Sequence, residues 1–299
     1  MQNKRLTRLA WLSIATAIAT ISLKAAAYVL TGSIGLLSDA LESVINLVAA
    51  VFALWMLTIA GRPADDGHPY GHTKAEYFSG ALEGSLIGMA ALSIAWAAIG
   101  RMLAPQPIEN ISLGLVISFI ASILNLIVGQ LLIREGRKHR SVTLEADGKH
   151  LMTDVYTSAG VIVAVFAVGI TGWLILDPLI ALIVAVNILR TGYEVVSHAA
   201  TGLMDAAVPP EDHAKIVSIL DGFKASHGID YHALRTRRSG TRAFVTVHIL
   251  VPDDWTVQFG HHFLEQIVDD IHIAVPGSNV FTHMEPLNDP LSMQDIELK

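Results

Sequence analysis

The sequence predicts an α-helical membrane domain of six transmembrane helices followed by a small α+β domain of element order αββαβ. Three observations predict it. Of the 299 residues, 52% are apolar and only 16% charged, with a mean hydropathy of +0.50, a composition outside the soluble range. The first 200 residues carry 13 Lys+Arg and 13 Asp+Glu, whereas the last 99 carry 7 and 14, so the whole net charge of −7 lies in the tail. Charge-free runs of bilayer length recur through the first part and then stop. Disorder, collagen and coiled coil are excluded. Nucleic acid is not an expected partner, because the only basic cluster in the acidic tail is Arg235, Arg237, Arg238 and Arg242, and phosphate neutralisation needs a basic face. The absence of cysteine removes disulfides, thiolate nucleophiles and sulfur ligands together.

A hydrocarbon core about 30 Å thick needs roughly 20 apolar residues per helix. Residues 43–61, 84–100, 110–133 and 155–176 contain no Asp, Glu, Lys or Arg. Residues 9–30 form a first span if Lys24 faces protein or water, and 173–192 form a sixth with Asp177 and Arg190 near its ends, where charge can reach the interface. The first span is too long, and lacks the small-residue cleavage pattern, to read as a removable signal peptide. Lys and Arg set the orientation: Lys4, Arg5 and Arg8 precede span 1, Arg62 and Lys74 follow span 2, and Arg134, Arg137, Lys138 and Arg140 follow span 4. The opposite loops carry almost none beyond Arg101, so both termini are expected in the cytoplasm and the protein in the inner cell membrane.

The expected domains are a transmembrane domain over 1–200, a linker over 201–210, a cytoplasmic domain over 211–290 and a tail over 291–299. In the third, 211–226 has helical periodicity, 231–237 and 243–251 read as strands, 258–274 as a helix and 279–286 as a strand. Two helices over one face of a small sheet would give about 90 residues a modest core.

The polar residues of the spans carry the chemistry. Asp39, Glu42 and Asn46 fall at i, i+3 and i+7, and so do Asp147, His150 and Asp154, so each set shares one helix face. One charge at bilayer depth costs at least about 2.5 kcal/mol on insertion scales, so two such faces call for partners, water or a cation. Glu42, Asn46, His150 and Asp154 make a four-coordinate nitrogen and oxygen set of the kind zinc accepts, with two carboxylates balancing a dication. Asp39 and Asp147 fit equally as interfacial helix-start residues or as auxiliary ligands, and Asn46 could instead join helices by hydrogen bonding. Between spans 2 and 3, Asp65, His68 and His72 place a carboxylate and two histidines at chelating spacing, though a solvated loop without metal has the same spacing.

Eight of the thirteen histidines follow residue 200, a bias towards metal binding. His232, His248 and His283 fall on the three expected strands, His261 opens the second helix, and Glu285 follows His283 at strand spacing. His213, His227 and His272 read as surface residues of an acidic domain.

From about residue 8 to residue 287 the chain resembles the cation diffusion facilitator family, and within it the bacterial zinc and ferrous-iron efflux members. The resemblance rests on the run from Thr31 to Ser43, on Gly67-His68-Pro69-Tyr70-Gly71-His72-Thr73-Lys74-Ala75-Glu76, on His150-Leu151-Met152-Thr153-Asp154, on Asp177-Pro178 and on Leu203-Met204-Asp205-Ala206-Ala207-Val208-Pro209. The tail adds the stretch from His232 to Arg237, Val247-His248 and the stretch from Pro276 to His283. It implies a homodimer in the lipid bilayer, with six-helix protomers and ferredoxin-like cytoplasmic domains, exporting Zn2+ or Fe2+ in exchange for protons. Exporters of Mn2+, Co2+, Ni2+ or Cd2+ would share the fold. The transport site would fall on Glu42, Asn46, His150 and Asp154, with His150 and Asp154 coupling protons. A loop site would fall on Asp65, His68 and His72, and a cytoplasmic-domain site on His232, His248, His261, His283 and Glu285. The resemblance also implies a charge interlock of Lys74 with Asp205 at the dimer hinge. One departure stands out: the usual span-2 pair is Asp or His followed four later by Asp, where this chain has Glu42 and Asn46.

No catalytic cofactor and no enzymatic activity are expected. A bound metal could activate water for an intramembrane hydrolase, but no HExxH or serine-elbow motif accompanies it. A membrane metal sensor that binds cation in its tail without moving it is the alternative from another class, and it would not need paired ionisable faces on spans 2 and 5.

Overall fold

The computed structural model describes residues 2–31, 34–103 and 112–294; several side chains in the first half of the second helix, including those of Asp39 and Glu42, lie outside the described residues. Two compact units follow one another, residues 1–200 and 201–299.

Among the described residues, the first unit holds six long helices: α1 (Gln2–Thr31), α2 (Ile34–Ala60), α3 (Ala75–Leu103), α4 (Ser112–His139), α5 (Val142–Thr171) and α6 (Leu176–Leu203). Among the described residues, four stretches are long and apolar enough to cross a bilayer, Arg5–Ala26, Ala75–Leu103, Phe119–His139 and Leu176–Leu203, and α2 adds the shorter apolar stretch Asn46–Ala60. The helices do not end where the charge-free runs end. Helix α3 starts nine residues before the expected span at Gly84, α5 starts at Val142 rather than 155, and α6 continues to Leu203, into the stretch expected as a linker. Lipid limits the apolar run, while the backbone hydrogen-bond ladder continues through polar residues wherever they face protein or water.

Local signals set the helix ends that position the site. Ser141 caps α5 by accepting from the Leu144 amide, as short hydroxyl residues do at helix starts. The same hydroxyl donates to Glu76 at the start of α3, so the two N-termini are tied together. Gly172, at φ 73°, closes α5 in the left-handed region. Leu6 and Ala10 of α1, Leu57 of α2, Val128 and Leu132 of α4, and Leu144 and Leu151 of α5 form a buried cluster. Glycines let the helices approach closely: a Cβ on Gly148 of α5 would lie 2.8 Å from the Gly129 carbonyl of α4, the small-residue packing of membrane bundles. Outward-facing side chains such as Trp96, at 82% exposure, and Leu103, at 84%, are large and apolar, which suits lipid rather than water.

The second unit runs α7 (Pro210–His227), β1 (Asp230–Ser239), β2 (Arg242–Val251), α8 (Val257–Ala274), β3 (Ser278–Pro286) and a short 3-10 turn, Pro290–Met293. The order αββαβ is therefore the observed one. β2 is the central strand, antiparallel to β1 and parallel to β3. Its Val245, Val247 and Ile249 alternate onto the face covered by Ile216 and Leu220 of α7 and Phe263, Ile267 and Ile271 of α8. By the same alternation His248 points to the other face.

Candidate functional site

Within the first unit, α2 and α5 bring Asn46, His150 and Asp154 into direct contact. His150 and Asp154 are one turn apart, and all three side chains are buried or half-buried. Asn46 Nδ2 donates to Asp154 Oδ2 at 2.7 Å. That bond turns the Asn46 carbonyl oxygen towards His150, whose Nε2 lies 2.7 Å away. An amide oxygen only accepts, so in this contact His150 Nε2 is the donor. Nδ1 is buried with no hydrogen-bond partner. Asp147, a turn before His150, does not join them and instead accepts from Ser13 of α1 at 3.0 Å. Glu42 and Asp39 lie on α2, but their side chains are outside the described residues.

The sequence reading missed Asn125. This α4 residue is 3% exposed and donates to Asp154 Oδ2 at 3.1 Å, so one carboxylate oxygen accepts from two amides on two helices. The span over 110–133 also holds Asn110 and Gln130, so no spacing singled Asn125 out, although buried amides in membrane bundles do face other helices. It also missed Glu83, fully buried in α3, because counting span 3 from Gly84 placed it outside.

In the loop between α2 and α3, Asp65, His68 and His72 come together with one ligand atom each within 4.8 Å of the others. Asp65 Oδ1 lies 3.3 Å from His68 Nδ1 and Oδ2 lies 3.3 Å from His72 Nε2, while the imidazole centroids are 4.3 Å apart. A tight turn holds them, with reciprocal backbone hydrogen bonds between Asp65 and His68. Desolvation is the largest single effect on the Asp65 carboxyl and pushes it up. Hydrogen bonds from His68 and attraction to both histidines together outweigh it and hold the group below its usual range.

In the second unit the strand register builds the third group. His232 pairs with His248 across β1 and β2, and His248 with His283 across β2 and β3, so three imidazoles stand in a row on the sheet face opposite the helices. Adjacent ring centroids are 5.0 Å apart. The register shifts just after His232, with Ala233 at φ 49°, an irregularity that re-aims the strand beside the site. Glu285, two residues after His283 and on the same face, is 7% exposed. Its Oε2 accepts from His232 Nε2 at 2.7 Å, and Oε1 lies 3.3 Å from His248 Nδ1 and 3.5 Å from His283 Nε2. His232, His248 and Glu285 form the compact set of ligand atoms. His261 does not join them. It is exposed on α8, 3.7 Å from Glu265 one turn along the same helix, because its helical position gives it a neighbour at i+4 and turns it to solvent. Asp205 pairs with Arg237 of its own unit at 3.2 Å, and Lys74 belongs to the other unit.

Two family descriptions match the chain: cation efflux transmembrane domain over residues 10–204 and cation efflux protein, cytoplasmic domain, over residues 208–287. An uncharacterized transporter of Synechocystis sp. is 48% identical, covering 95% of this chain and 91% of its own. The cation-efflux pump FieF of Citrobacter koseri is 31% identical over 91% of this chain and 90% of its own. A solved zinc-form structure of CzrB, 30% identical, covers 27% of this chain and 90% of its own at a TM-score of 0.26, too low to support any structural comparison. With both of its units matched in order and relatives aligned almost from end to end, this chain belongs to the cation efflux family of membrane transporters.

Proposed function

We propose that this protein exports a divalent metal, Zn2+ or Fe2+, from the cytoplasm in exchange for protons, as a homodimer in the inner membrane with both termini cytoplasmic. The observation that carries the reading is the buried contact of Asn46 with His150 and Asp154, polar groups that helices at lipid depth do not hold without use. Glu42, Asn46, His150 and Asp154 are the proposed ligands. Metal and proton compete for the imidazole, because a nitrogen must be bare to ligate, and histidine is the side chain that ordinarily titrates near neutral pH. Binding through Nε2 requires that nitrogen to be bare, its proton passing to Nδ1 in a neutral imidazole or leaving to solvent from an imidazolium, and requires Asn46 to rotate or move, so arrival of the cation breaks the amide bridge between α2 and α5. Asp154 stays oriented by Asn125 while this happens. Alternate exposure of the site to the two sides then follows from differential binding to two helix arrangements.

Two further groups serve the same cargo. His232, His248, His283 and Glu285 bind metal in the cytoplasmic domain and draw the two protomers together. Asp65, His68 and His72 bind it at the loop. FieF of Citrobacter koseri bears the name cation-efflux pump, which supports export as the direction. Reconstitution into liposomes and flux measurement over Zn2+, Fe2+, Mn2+, Co2+, Ni2+ and Cd2+ tests the proposal. Zn2+ or Fe2+ moves fastest if it holds, and wild-type protein that moves none of the six ends it.

A further inference from the structure

Helix α6 turns one face to α3 and leaves a broad arc open. Ile188 is fully buried with Ile87 and Ala91 of α3, and a Cβ on Gly192 would lie 2.9 Å from the Gly88 amide nitrogen. On the open arc, Leu189 and Tyr193 point outward, as lipid-facing side chains do. Beside them Asn187, Arg190, Thr191 and Glu194 share a stripe about 100° wide that is polar throughout. The Arg190 and Glu194 side chains are 79% and 51% exposed, and Asn187 is exposed too. Depth makes this stripe costly. Asp177 opens α6 and pairs with Arg101 at 2.8 Å, an ionic contact suited to the outer membrane surface. At 1.5 Å per residue Asn187 lies about 15 Å deeper and Arg190 about 20 Å, inside a hydrocarbon core about 30 Å thick. Arginine can bend to an interface, but asparagine at mid-depth is too short to do so. Among the described residues the Asn187 side-chain amide has no hydrogen bond, and the Arg190 guanidinium donates only through Nε, to Glu194 at 3.0 Å. Lipid offers these groups no partner, so protein must.

We propose that this stripe of α6 is a membrane contact between two copies of the chain, each laying it against the same stripe of the other. The inference rests on the homodimer proposed above. Arg190 and Glu194 cancel in charge, so the stripe meets its own copy without net repulsion. A two-fold axis along the membrane normal sets the two helices side by side and parallel, with each residue at its counterpart's level. The unused donors of Arg190 then reach Glu194 of the partner subunit, one turn further along. The two Asn187 amides, each both donor and acceptor, bond each other, as polar side chains do between membrane helices.

The chain has no cysteine, so a single introduced thiol reports on this contact in the full-length protein in membrane vesicles. Asn187→Cys and Thr191→Cys should each give a disulfide-linked dimer on oxidation with copper phenanthroline, because a disulfide needs Cα atoms within about 7 Å. Leu189→Cys and Tyr193→Cys, on the lipid-facing arc, should cross-link at least about tenfold less. Adding Arg190→Glu to Thr191→Cys sets acid against acid and should lower cross-linking about tenfold or more. Adding Glu194→Arg as well should restore it, which a misfolded chain would not allow. Cross-linking at 189 and 193 but not at 187 and 191 overturns the proposal. Cross-linking at none of the four, while the purified protein elutes as a dimer, overturns it as well and leaves the stripe to lipid headgroups. A monomer on size-exclusion chromatography refutes the homodimer itself, and this contact with it.

Discussion

Replacing Glu285 by Gln should remove most of the stabilisation that metal gives the cytoplasmic domain while leaving the metal-free domain nearly unchanged. Gln keeps the shape and still accepts from His232 Nε2, now 2.7 Å from the carboxylate. It loses the charge that faces His248 and His283 as well. A ligand that binds only the folded state stabilises it by RT ln(1 + [L]/Kd), about 2.7 kcal/mol at one hundred times Kd. Core amides that exchange by opening the whole domain should then exchange about 100-fold more slowly with metal. Losing even an outer partner of a metal site weakens affinity about 10–100-fold, and an anionic ligand should count for at least the upper figure. At the same metal concentration the variant would then sit near its Kd and keep only about 0.4 kcal/mol, a twofold effect. Hydrogen exchange of Val245, Val247 and Ile249, all fully buried in β2, measures both numbers in the full-length protein. Equal slowing by Zn2+ in Glu285→Gln and wild type would show that Glu285 does not bind the ion.

Three other outcomes are expected. Asp154→Ala and His150→Ala should each lower metal flux at least about 100-fold by analogy with metal-site losses, with the dimer intact by size-exclusion chromatography; near wild-type flux in either refutes the site. Gly148→Ala should destabilise the membrane unit by about 1–3 kcal/mol, because the added Cβ meets the Gly129 carbonyl and the Ile133 amide nitrogen at 2.8 Å. Gly88→Ala, where nothing lies within 4 Å of the added atom, should be silent, and thermal unfolding of the two compares them directly. The hydrogen bond from Lys224 at 2.6 Å, the first of several causes, holds the Asp230 carboxyl below its usual range. Its contribution to stability is therefore present above the unfolded carboxylate pKa of about 4 and lost as pH falls through the lower folded value. Lys224→Ala should move the Asp230 midpoint upward in a carbon-13 carboxyl titration, and an unmoved midpoint would deny the pairing.

The cytoplasmic elements were legible to within a residue or two, because strand alternation and helix periodicity change sharply at Gly228, Gly240 and Gly277, each with positive φ. The membrane helices were legible as spans but not in extent. A charge-free run marks where lipid is, whereas α3 and α5 continue through Glu76, Glu83, Glu145 and Asp147, which face protein. The contact of Asn46 with His150 and Asp154 could be anticipated because helical spacing fixes which side chains share a face. The histidine row across β1, β2 and β3 could be anticipated only in part, since spacing along a strand gives the face but not the register between strands. His261 shows the limit: a position at the start of α8 says nothing about which way that turn looks. Asn125 needed the bundle itself, because its spacing from Asn110 and Gln130 in the same span marks no shared site.

The central claim is that metal leaves through the α2 and α5 site in exchange for protons. Its most direct test is proteoliposomes holding a trapped pH indicator and a trapped Zn2+ indicator, with Zn2+ added outside and both signals followed together. The account predicts proton movement opposite to Zn2+ and proportional to it at every Zn2+ concentration, with both signals lost in Asp154→Ala. Zn2+ movement at full rate with no accompanying change in internal pH would contradict it.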